Sequence, residues 1–231
     1  MGSMPRTNPR SGVSAVVLAA GMSTRMGSVK QLLRLGEKTL LETVLDTLRA
    51  SQVGEMVVVL GGSAQLIQQQ IKLDDARVVI NKEHEQGMGT SLRAGVSAVD
   101  SSSDAALIVL ADQPFLRPET IDHLIDCYRA QSHPAVIPVY KGHRGNPALL
   151  DRSLFPEVMT LSGDVGFRAI LSRHTEEILR VPVDDVGVLI DVDTEADLQR
   201  FQQAHLRGTL TLELLEATDV ADRGTVAQPS A

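Results

Sequence analysis

Four short runs of apolar, largely β-branched residues constrain the fold more than any other feature of this chain. They lie at Val13–Leu18, Met56–Leu60, Arg77–Ile80 and Ala105–Leu110. Each run is continuous rather than alternating, which is typical of parallel strands covered on both faces. Patterns typical of helices separate the runs. The sequence therefore predicts an α/β fold class, with right-handed β-α-β units that form a mostly parallel sheet.

The predicted helices have recognisable start signals. Thr39 followed by Glu42 forms a capping box, and the residues after it make one apolar stripe. We expect Ser63 to cap a second helix and a third helix to run from about Ser91 to Val99. A last helix is predicted from a cap at Thr194 to Leu206. The apolar residues expected to face inward from the first two helices are Leu40, Leu41, Val44, Leu45, Leu48, Leu66, Ile67 and Ile71.

The second half of the chain is less regular. Ala135–Val139 is apolar but contains Pro138, which predicts an edge strand or a bulge because proline cannot donate to a ladder. Asn146–Leu150 and Glu177–Val183 are further candidate strands, and Val186–Ile190 is another apolar run. We expect residues 1–12 to be a disordered leader or tag remnant, residues 13–206 one domain, and residues 207–231 a partly disordered C-terminal extension.

Composition and charge exclude several classes of function. The chain has 231 residues, 43% of them hydrophobic, and a formal net charge of −7, which argues against nucleic acid or an anionic membrane as a partner. No apolar run reaches the ~18 residues of a membrane span. A single cysteine, Cys127, rules out an intrachain disulfide and is expected to pack in a helix. These features predict a cytoplasmic protein.

The loop after the first predicted strand is suited to binding a polyphosphate. It runs from Gly21 to Lys30 and carries two cations, Arg25 and Lys30. Glycines allow the main chain to approach phosphate oxygens, arginine can bind two oxygens at once, and lysine adds a point charge. The spacing fits neither a P-loop nor the dinucleotide fingerprint. The alternative is a glycine-rich turn with solvated cations.

Acidic residues follow two other apolar runs. Asp112 comes after Ala105–Leu110, and Asp191 and Asp193 come after Val186–Ile190. Ligands of open α/β sheets bind at the carboxyl ends of the strands. Mg²⁺ prefers one or two carboxylates with phosphate oxygens and water. Asp112 and Asp191 are therefore predicted to bind Mg²⁺, with Asp193 as the alternative to Asp191. Both could instead cap helices or fix turns.

Three further loops combine glycine with polar side chains. Gly87 and Ser91 lie at the entrance of the third predicted helix, where they are expected to contact a nucleotide. Two more loops could form the pocket of a second, anionic substrate, and their candidate residues are Gly145, Asn146, Gly163 and Asp164. A plain turn and a helix cap explain these loops nearly as well. Neither a zinc-ligand spacing of histidines nor a Ser/His/Asp arrangement is present.

Taken together, the motifs resemble one family. Residues 18–33, which read Leu-Ala-Ala-Gly-x-Ser-x-Arg-Met-Gly-x-x-Lys-x-Leu-Leu, are similar to the signature of MobA-like nucleotidyltransferases. The later motifs occur in the order of the molybdenum cofactor cytidylyltransferase branch. They lie at residues 87–92, 110–114, 145–147, 163–168 and 191–194. The resemblance covers essentially residues 13–206.

The resemblance implies a Rossmann-like, three-layer α/β/α nucleotidyltransferase fold of the GT-A-like type. It implies Mg²⁺ or Mn²⁺, CTP as substrate, and attack of an acceptor phosphate on the α-phosphorus with release of pyrophosphate. The acceptor would be a molybdopterin-type molecule, and a molybdenum hydroxylase would be a protein partner. Ala20 is the family feature that favours cytosine over guanine, whereas Glu195 departs from the proline usual at its position.

The resemblance also implies residue roles. Arg25, Lys30 and Asp112 would be catalytic, with the two cations holding the triphosphate and Asp112 and Asp191 binding the metal. The nucleotide would be contacted by Leu18, Ala19, Ala20, Gly21, Gly87, Ser91 and Asp112. Two alternatives stay open: a nucleotidyltransferase for a sugar or polyol phosphate, and a non-catalytic delivery protein for molybdenum cofactor.

Overall fold

The computed structural model describes residues 12–21, 29–131 and 133–214. Its strands are β1 Val13–Ala19, β2 Arg34–Leu35, β3 Lys38–Thr39, β4 Glu55–Leu60, β5 Arg77–Ile80, β6 Ala105–Leu110, β7 Ala135–Tyr140, β8 His143–Arg144, β9 Ala148–Asp151 and β10 Ile178–Pro182. Its α-helices are α1 Leu40–Arg49, α2 Ala64–Gln70, α3 Met88–Ser97, α4 Pro118–Ala130, α5 Phe155–Val158, α6 Arg168–Arg173 and α7 Glu195–Leu206. None of these helices is long and apolar enough to span a bilayer.

One mixed sheet forms the centre of the fold. The strand order is β10-β7-β9-β6-β1-β4-β5, with β8 paired to β7. Strands β5, β4, β1 and β6 are parallel, whereas β9 is antiparallel to both of its neighbours. The predicted α/β class and mostly parallel sheet are confirmed, and the four apolar runs of the first half form β1, β4, β5 and β6.

Helices cover both faces of the sheet, as predicted. Alternate residues of β1 face opposite layers: Val13, Ala15 and Val17 belong to one apolar cluster, and Val16 belongs to the other. The first cluster contains α1, α4 and α7, and the second contains α3, α5 and α6. Because β1, β4 and β6 are buried from both sides, these central strands require continuous apolar runs rather than alternating ones.

The predicted caps are confirmed for two helices and wrong for a third. At α1 the Thr39 hydroxyl accepts from the Glu42 amide (3.2 Å), and the Glu42 carboxylate accepts from the Thr39 amide (2.8 Å). Thr194 forms the same capping box with Asp197 at the start of α7. Ser63 makes no side-chain cap at α2, and Leu66, expected to face inward, is 41% exposed. Helix α3 begins at Met88, three residues before the predicted start.

The structure corrects two expectations in the second half. β7, which contains Pro138, lies inside the sheet rather than at an edge. Its pairing passes from β9 at Val136 to β8 at Val139, so the proline lies in the gap between two partners. The apolar run Val186–Ile190, whose sequence resembles that of the candidate strands, forms a 3₁₀ helix at Val186–Leu189 and not a strand. The acidic residues that follow this run therefore reach the sheet edge from a turn.

Helix α3 packs unusually close to the sheet at Gly95. A Cβ atom at this position would overlap Cγ1 of Val16 and lie 2.9 Å from Cγ2 of Val59. Both valines are fully buried. Glycine is thus needed here to bring the first turns of α3, which follow the polar 81–91 loop, close to the carboxyl ends of β1 and β4.

We therefore predict that Gly95→Ala destabilises the protein, because overpacking costs about 1–3 kcal/mol. The higher helix propensity of alanine offsets up to about 1 kcal/mol of this cost. The control is Ser97→Ala on the same helix, where the side chain is exposed. Thermal unfolding measures both variants, and equal midpoints for Gly95→Ala and Ser97→Ala would contradict the packing argument.

A histidine joins α5 and α6. Nε2 of His174 lies 2.7 Å from the Glu157 carboxylate, and Nδ1 lies 3.1 Å from that of Glu177. Hydrogen bonds to Glu177 and Glu157 raise the pKa of His174 above its usual 6.5. The bond from His174 lowers the pKa of Glu157 below its usual 4.5. Both groups are therefore charged at pH values between the lowered pKa of Glu157 and the raised pKa of His174, and the ion pair is formed in this range.

This pair predicts a pH-dependent contribution to stability. The part due to His174 is fully present below pH 6.5 and is lost as the pH rises through the raised pKa. The part due to Glu157 is lost as the pH falls below 4.5 through the lowered pKa. His174→Gln should therefore destabilise the protein most between these limits and least in alkaline solution. Denaturant unfolding at several pH values measures this, and a difference independent of pH would argue against the pair.

Candidate active site

The strand order creates a crevice beside β1. From β1 the chain moves outward to β4 and β5, and then crosses to β6 on the other side of β1. β1 and β6 run parallel and in register from Val13–Ala105 to Leu18–Leu110. Gly21 follows the first of these strands and Asp112 follows the second. Such a reversal of strand order at the carboxyl ends is where open α/β sheets bind ligands.

A cleft of about 580 Å³ opens at this reversal, and we call it the main cleft. The predicted site residues that line it are Leu18, Ala20, Gly21, Lys30, Gly87, Ser91, Asp112 and Asp164. Ala19 does not line it, because its side chain is buried in the core beneath. The volume is that of a small-molecule or cofactor site.

Asp112 is the central acidic residue of the main cleft. Its Oδ2 accepts a hydrogen bond from Nζ of Lys30 at 2.8 Å. Its Oδ1 is buried and has no hydrogen-bond partner among the residues that the structure describes. A buried carboxylate oxygen without a partner is costly, so it marks a position prepared for a ligand that is not a protein group.

Two more carboxylates lie beside Asp112, and we call the three together the acidic cluster. Asp193 accepts from Nζ of Lys30 at 2.7 Å, and Asp191 accepts from Nε2 of Gln113 at 2.7 Å. The amide of Val192 donates to the carbonyl of Asp112 at 2.9 Å, which ties this segment to the end of β6. Asp112 and Asp191, the two residues predicted to bind a metal ion, therefore lie near each other. Asp193 is paired with Lys30.

Burial and neighbouring charges shift two pKa values in this cluster. Burial raises the pKa of Asp191 to about 6, and the nearby charge of Asp112 adds to the effect. The Asp191 carboxylate is open to solvent through a recess, but protein surrounds it on the other sides. Burial alone would lower the pKa of Lys30, but Asp112 and Asp193 outweigh it and raise the pKa. Lys30 is therefore fully charged.

The residues present fit a divalent cation with oxygen ligands. Three carboxylates surround one ammonium, and the buried Oδ1 of Asp112 lacks a partner. Within the described ranges, no group of three or more His, Cys, Asp or Glu side chains is arranged to enclose a metal ion by itself. This donor set suits a hard cation such as Mg²⁺ that completes its coordination with phosphate oxygens and water.

The loop after β1 carries the predicted cation Arg25. Arg25 and the rest of residues 22–28 lie outside the described residues, so the role of Arg25 stays a prediction. Gln31, which the sequence reasoning missed, holds the start of this loop. It is 6% exposed, and its Nε2 donates to the carbonyls of Ala19 (2.9 Å) and Gly21 (3.4 Å). A glutamine after Lys30 carries no pattern that would have identified it.

Asn81 and the start of α3 form the opposite wall. Nδ2 of Asn81 donates to the hydroxyls of Thr90 (2.8 Å) and Ser91 (3.0 Å). A hydroxyl that accepts in this way can still donate its own proton, so Ser91 can serve a ligand in the cleft. The 81–91 loop is therefore a braced wall of the main cleft.

The amides at the start of α3 are already used. The Gly89 amide donates to the carbonyl of Gly163 (3.1 Å), and the Met88 amide lies 3.4 Å from Oδ1 of Asp164. Gly87 has φ of +103°, and a Cβ there would overlap the backbone of Gly163. These amides are therefore bonded to the 163–164 loop, while Gly87 and Ser91 line the main cleft and their expected nucleotide contact stays a prediction.

A second recess of about 310 Å³ adjoins the acidic cluster, and we call it the arginine pocket. It is lined by Gln113, Arg144, Gly145, Asn146, Arg168, Val188, Leu189 and Asp191. Within the part of the chain that the structure describes, Arg144 and Arg168 form no ion pair. Burial lowers the pKa of Arg144, and repulsion by Arg168 and Arg180 lowers it further. Uncompensated cations in a recess favour an anion.

The four residues predicted to bind a second substrate are divided between the two sites. Gly145 and Asn146 line the arginine pocket, whereas Asp164 lines the main cleft and Gly163 packs on α3. Arg144 and Arg168 lie in the two loops chosen for their glycines and cations. Sequence spacing could not show that both guanidinium groups face the same recess.

Comparisons with known proteins agree with this geometry. The family described as MobA-like NTP transferase domain matches residues 15–178. Nicotine blue oxidoreductase of Paenarthrobacter nicotinovorans is 32% identical over 200 residues, covering 81% of this chain and 95% of the relative. Molybdenum cofactor cytidylyltransferase of Escherichia coli (strain K12) is 24% identical over 189 residues, covering 81% and 94%.

A solved structure gives the same result. The crystal structure of Rv0371C from Mycobacterium tuberculosis H37Rv in complex with manganese has a TM-score of 0.73 and 30% identity, and covers 83% of this chain and 98% of that chain. That protein of the same fold therefore binds a divalent cation. Because the family model matches residues 15–178, this chain belongs to the MobA-like nucleotidyltransferase family.

Proposed function

We propose that this protein transfers CMP from CTP to a phosphate-bearing acceptor, a molybdopterin-type cofactor, and releases pyrophosphate. The observation that carries the proposal is the Asp112 carboxylate, which lines the main cleft, accepts from Lys30 through Oδ2 and has a buried Oδ1 without a hydrogen-bond partner among the described residues. The main cleft has the volume for a nucleotide, and the arginine pocket has the charge for an acceptor anion. Asp112 lines the main cleft and the adjacent Gln113 lines the arginine pocket, so the phosphorus would react near Asp112.

The nucleotide is placed in the main cleft. Gly21 leaves space for phosphate oxygens, since no atom of the described residues lies within 4 Å of where its Cβ would be. Lys30, held by Asp112 and Asp193, faces the phosphates with a fixed positive charge. Arg25 adds a second cation from the loop. Ala20 lines the cleft where its methyl group would favour the smaller pyrimidine base.

A divalent cation is the third source of positive charge. Asp112 and Asp191 would hold Mg²⁺ or Mn²⁺, which would neutralise negative charge on the triphosphate and on the leaving pyrophosphate. The negative charge of the acidic cluster is larger than the positive charge of Lys30. Without such an ion, the cluster would therefore repel a triphosphate. The manganese-bound relative supports this assignment.

The acceptor is placed in the arginine pocket. Arg144 and Arg168 would bind its phosphate, and Gln113 and Asn146 would orient it through hydrogen bonds. A phosphate nucleophile is already ionised, so the reaction needs no general base. Alignment of two anions that repel each other is then the main contribution of the protein. The same pocket would accept a sugar or polyol phosphate, and a molybdenum hydroxylase would receive the product.

A second candidate is an oxidoreductase activity. The relative named nicotine blue oxidoreductase is 32% identical and spans 81% of this chain, so a redox reaction in the same cleft is the competing proposal. A dinucleotide would then occupy the main cleft. The acidic cluster favours nucleotidyl transfer, because hydride transfer does not require several carboxylates beside a lysine.

The first test is a substrate screen. Purified protein is incubated with each nucleoside triphosphate, Mg²⁺ or Mn²⁺, and either molybdopterin-type cofactor or sugar and polyol phosphates, while released pyrophosphate is measured. We expect release with CTP and the pterin cofactor, and little without a divalent cation. A parallel assay follows consumption of reduced nicotinamide dinucleotides. Oxidation without any pyrophosphate release would replace the proposal with the redox function.

The second test is Asp112→Asn, which keeps the shape of the side chain and removes its charge. We expect turnover to fall by about 10²–10³-fold, since it removes one electrostatic contact to the reacting phosphates. Asp74→Asn, an exposed carboxylate outside both sites, is the matched control. Unfolding midpoints show that both variants are folded. If Asp112→Asn still activates a molybdenum hydroxylase as well as the unchanged chain does, the protein is a delivery factor rather than an enzyme.

A further inference from the structure

His84 lies in the wall of the main cleft, and the mechanism above gives it no role. Its imidazole ring rests on the glycine pair Gly61-Gly62. A Cβ at Gly61 would lie 2.9 Å from Cγ of the ring, and a Cβ at Gly62 would lie 3.1 Å from Cε1 and Nε2. The two glycines thus meet opposite ends of one ring, which lies across their backbone. Neither glycine lines the cleft, so His84 stands between them and the ligand space.

The position of His84 along the sheet is the second observation. Gly61 follows β4 and His84 follows β5, whereas Asp112 follows β6. In the strand order these lie on opposite sides of β1. Three strand spacings, about 14 Å, separate β5 from β6. The cleft therefore extends from a ring at one end to the acidic cluster and Lys30 at the other.

This polarity fixes how a nucleotide lies. The phosphates belong at the end with Lys30 and Asp112, so the base reaches the end with His84. Ala20 is also at that end, because a Cβ on Gly61 would lie 2.6 Å from the Ala20 carbonyl oxygen. Of the described residues that line the cleft, His84 alone has a planar ring.

We propose that the imidazole of His84, seated on Gly61-Gly62, is the surface on which the base of the bound nucleotide stacks. This inference rests on the proposed function, and it assigns a residue that binds the base rather than the phosphates. Stacking tolerates every base, because each presents a flat π-face. His84 therefore supplies affinity for any nucleotide, and the choice between bases is left to neighbours such as Ala20.

The test compares a ligand that has a base with one that lacks it. Binding of CTP and of inorganic triphosphate, each with Mg²⁺, is measured by calorimetry on the full chain. The variants are His84→Ala, His84→Leu, which fills the space without a flat ring, and His84→Phe, which restores one. Lys82→Ala, an exposed position in the same loop and outside the cleft wall, is the control.

We expect His84→Ala and His84→Leu to weaken CTP binding by roughly 5- to 100-fold, the loss of one stacked base. His84→Phe should bind CTP within about threefold of the unchanged chain, since stacking needs only a flat ring. Inorganic triphosphate should bind all variants equally, because it makes no contact with a stacking surface.

Each contrary outcome has a separate meaning. Unchanged CTP binding by His84→Ala and His84→Leu, with normal binding by the parent chain, overturns the stacking role and leaves the proposed function standing. Equal loss of both ligands also overturns it, because the ring would then only support the loop. If the parent chain binds inorganic triphosphate but no nucleoside triphosphate, the proposed function fails as well.

Discussion

The contact on which the rest of the site depends is the pairing of Lys30 with Asp112. It joins the loop after β1 to the end of β6, across the reversal of strand order. One oxygen of Asp112 is used by Lys30, and the other is buried without a partner. A fold that leaves such an oxygen unsatisfied has reserved it for a ligand. Asp112 itself lines the main cleft, and its neighbours Gln113 and Asp191 line the arginine pocket.

The first half of the fold could be predicted because its interactions are local or repeated. Continuous apolar runs predicted β1, β4, β5 and β6, and the Thr39 capping box predicted the start of α1. The second half could not be predicted as well, because tertiary contacts override local pattern there. Pro138 is tolerated inside the sheet because the strand changes partners around it, and Val186–Leu189 is apolar through packing rather than as a strand.

The same distinction applies to the site. Asp112, Lys30 and Asp191 were predicted because each lies close to a motif at the carboxyl edge of the sheet. Gln31 and His84 were missed because their roles arise from what they contact, which are backbone carbonyls in one case and two glycines in the other. Likewise, the convergence of Arg144 and Arg168 depends on how loops far apart in the chain fold together.

The hydrogen bond from the Val192 amide to the Asp112 carbonyl positions the backbone of the acidic cluster, whereas the side chains supply its charge. The segment that carries Asp191 and Asp193 is anchored by an amide and a carbonyl, which every residue except proline would supply at those positions. Side chains on either side of Val192 can therefore be exchanged while the backbone stays in place. The acids at this edge can thus change the charge of the site without any change in the sheet beneath it.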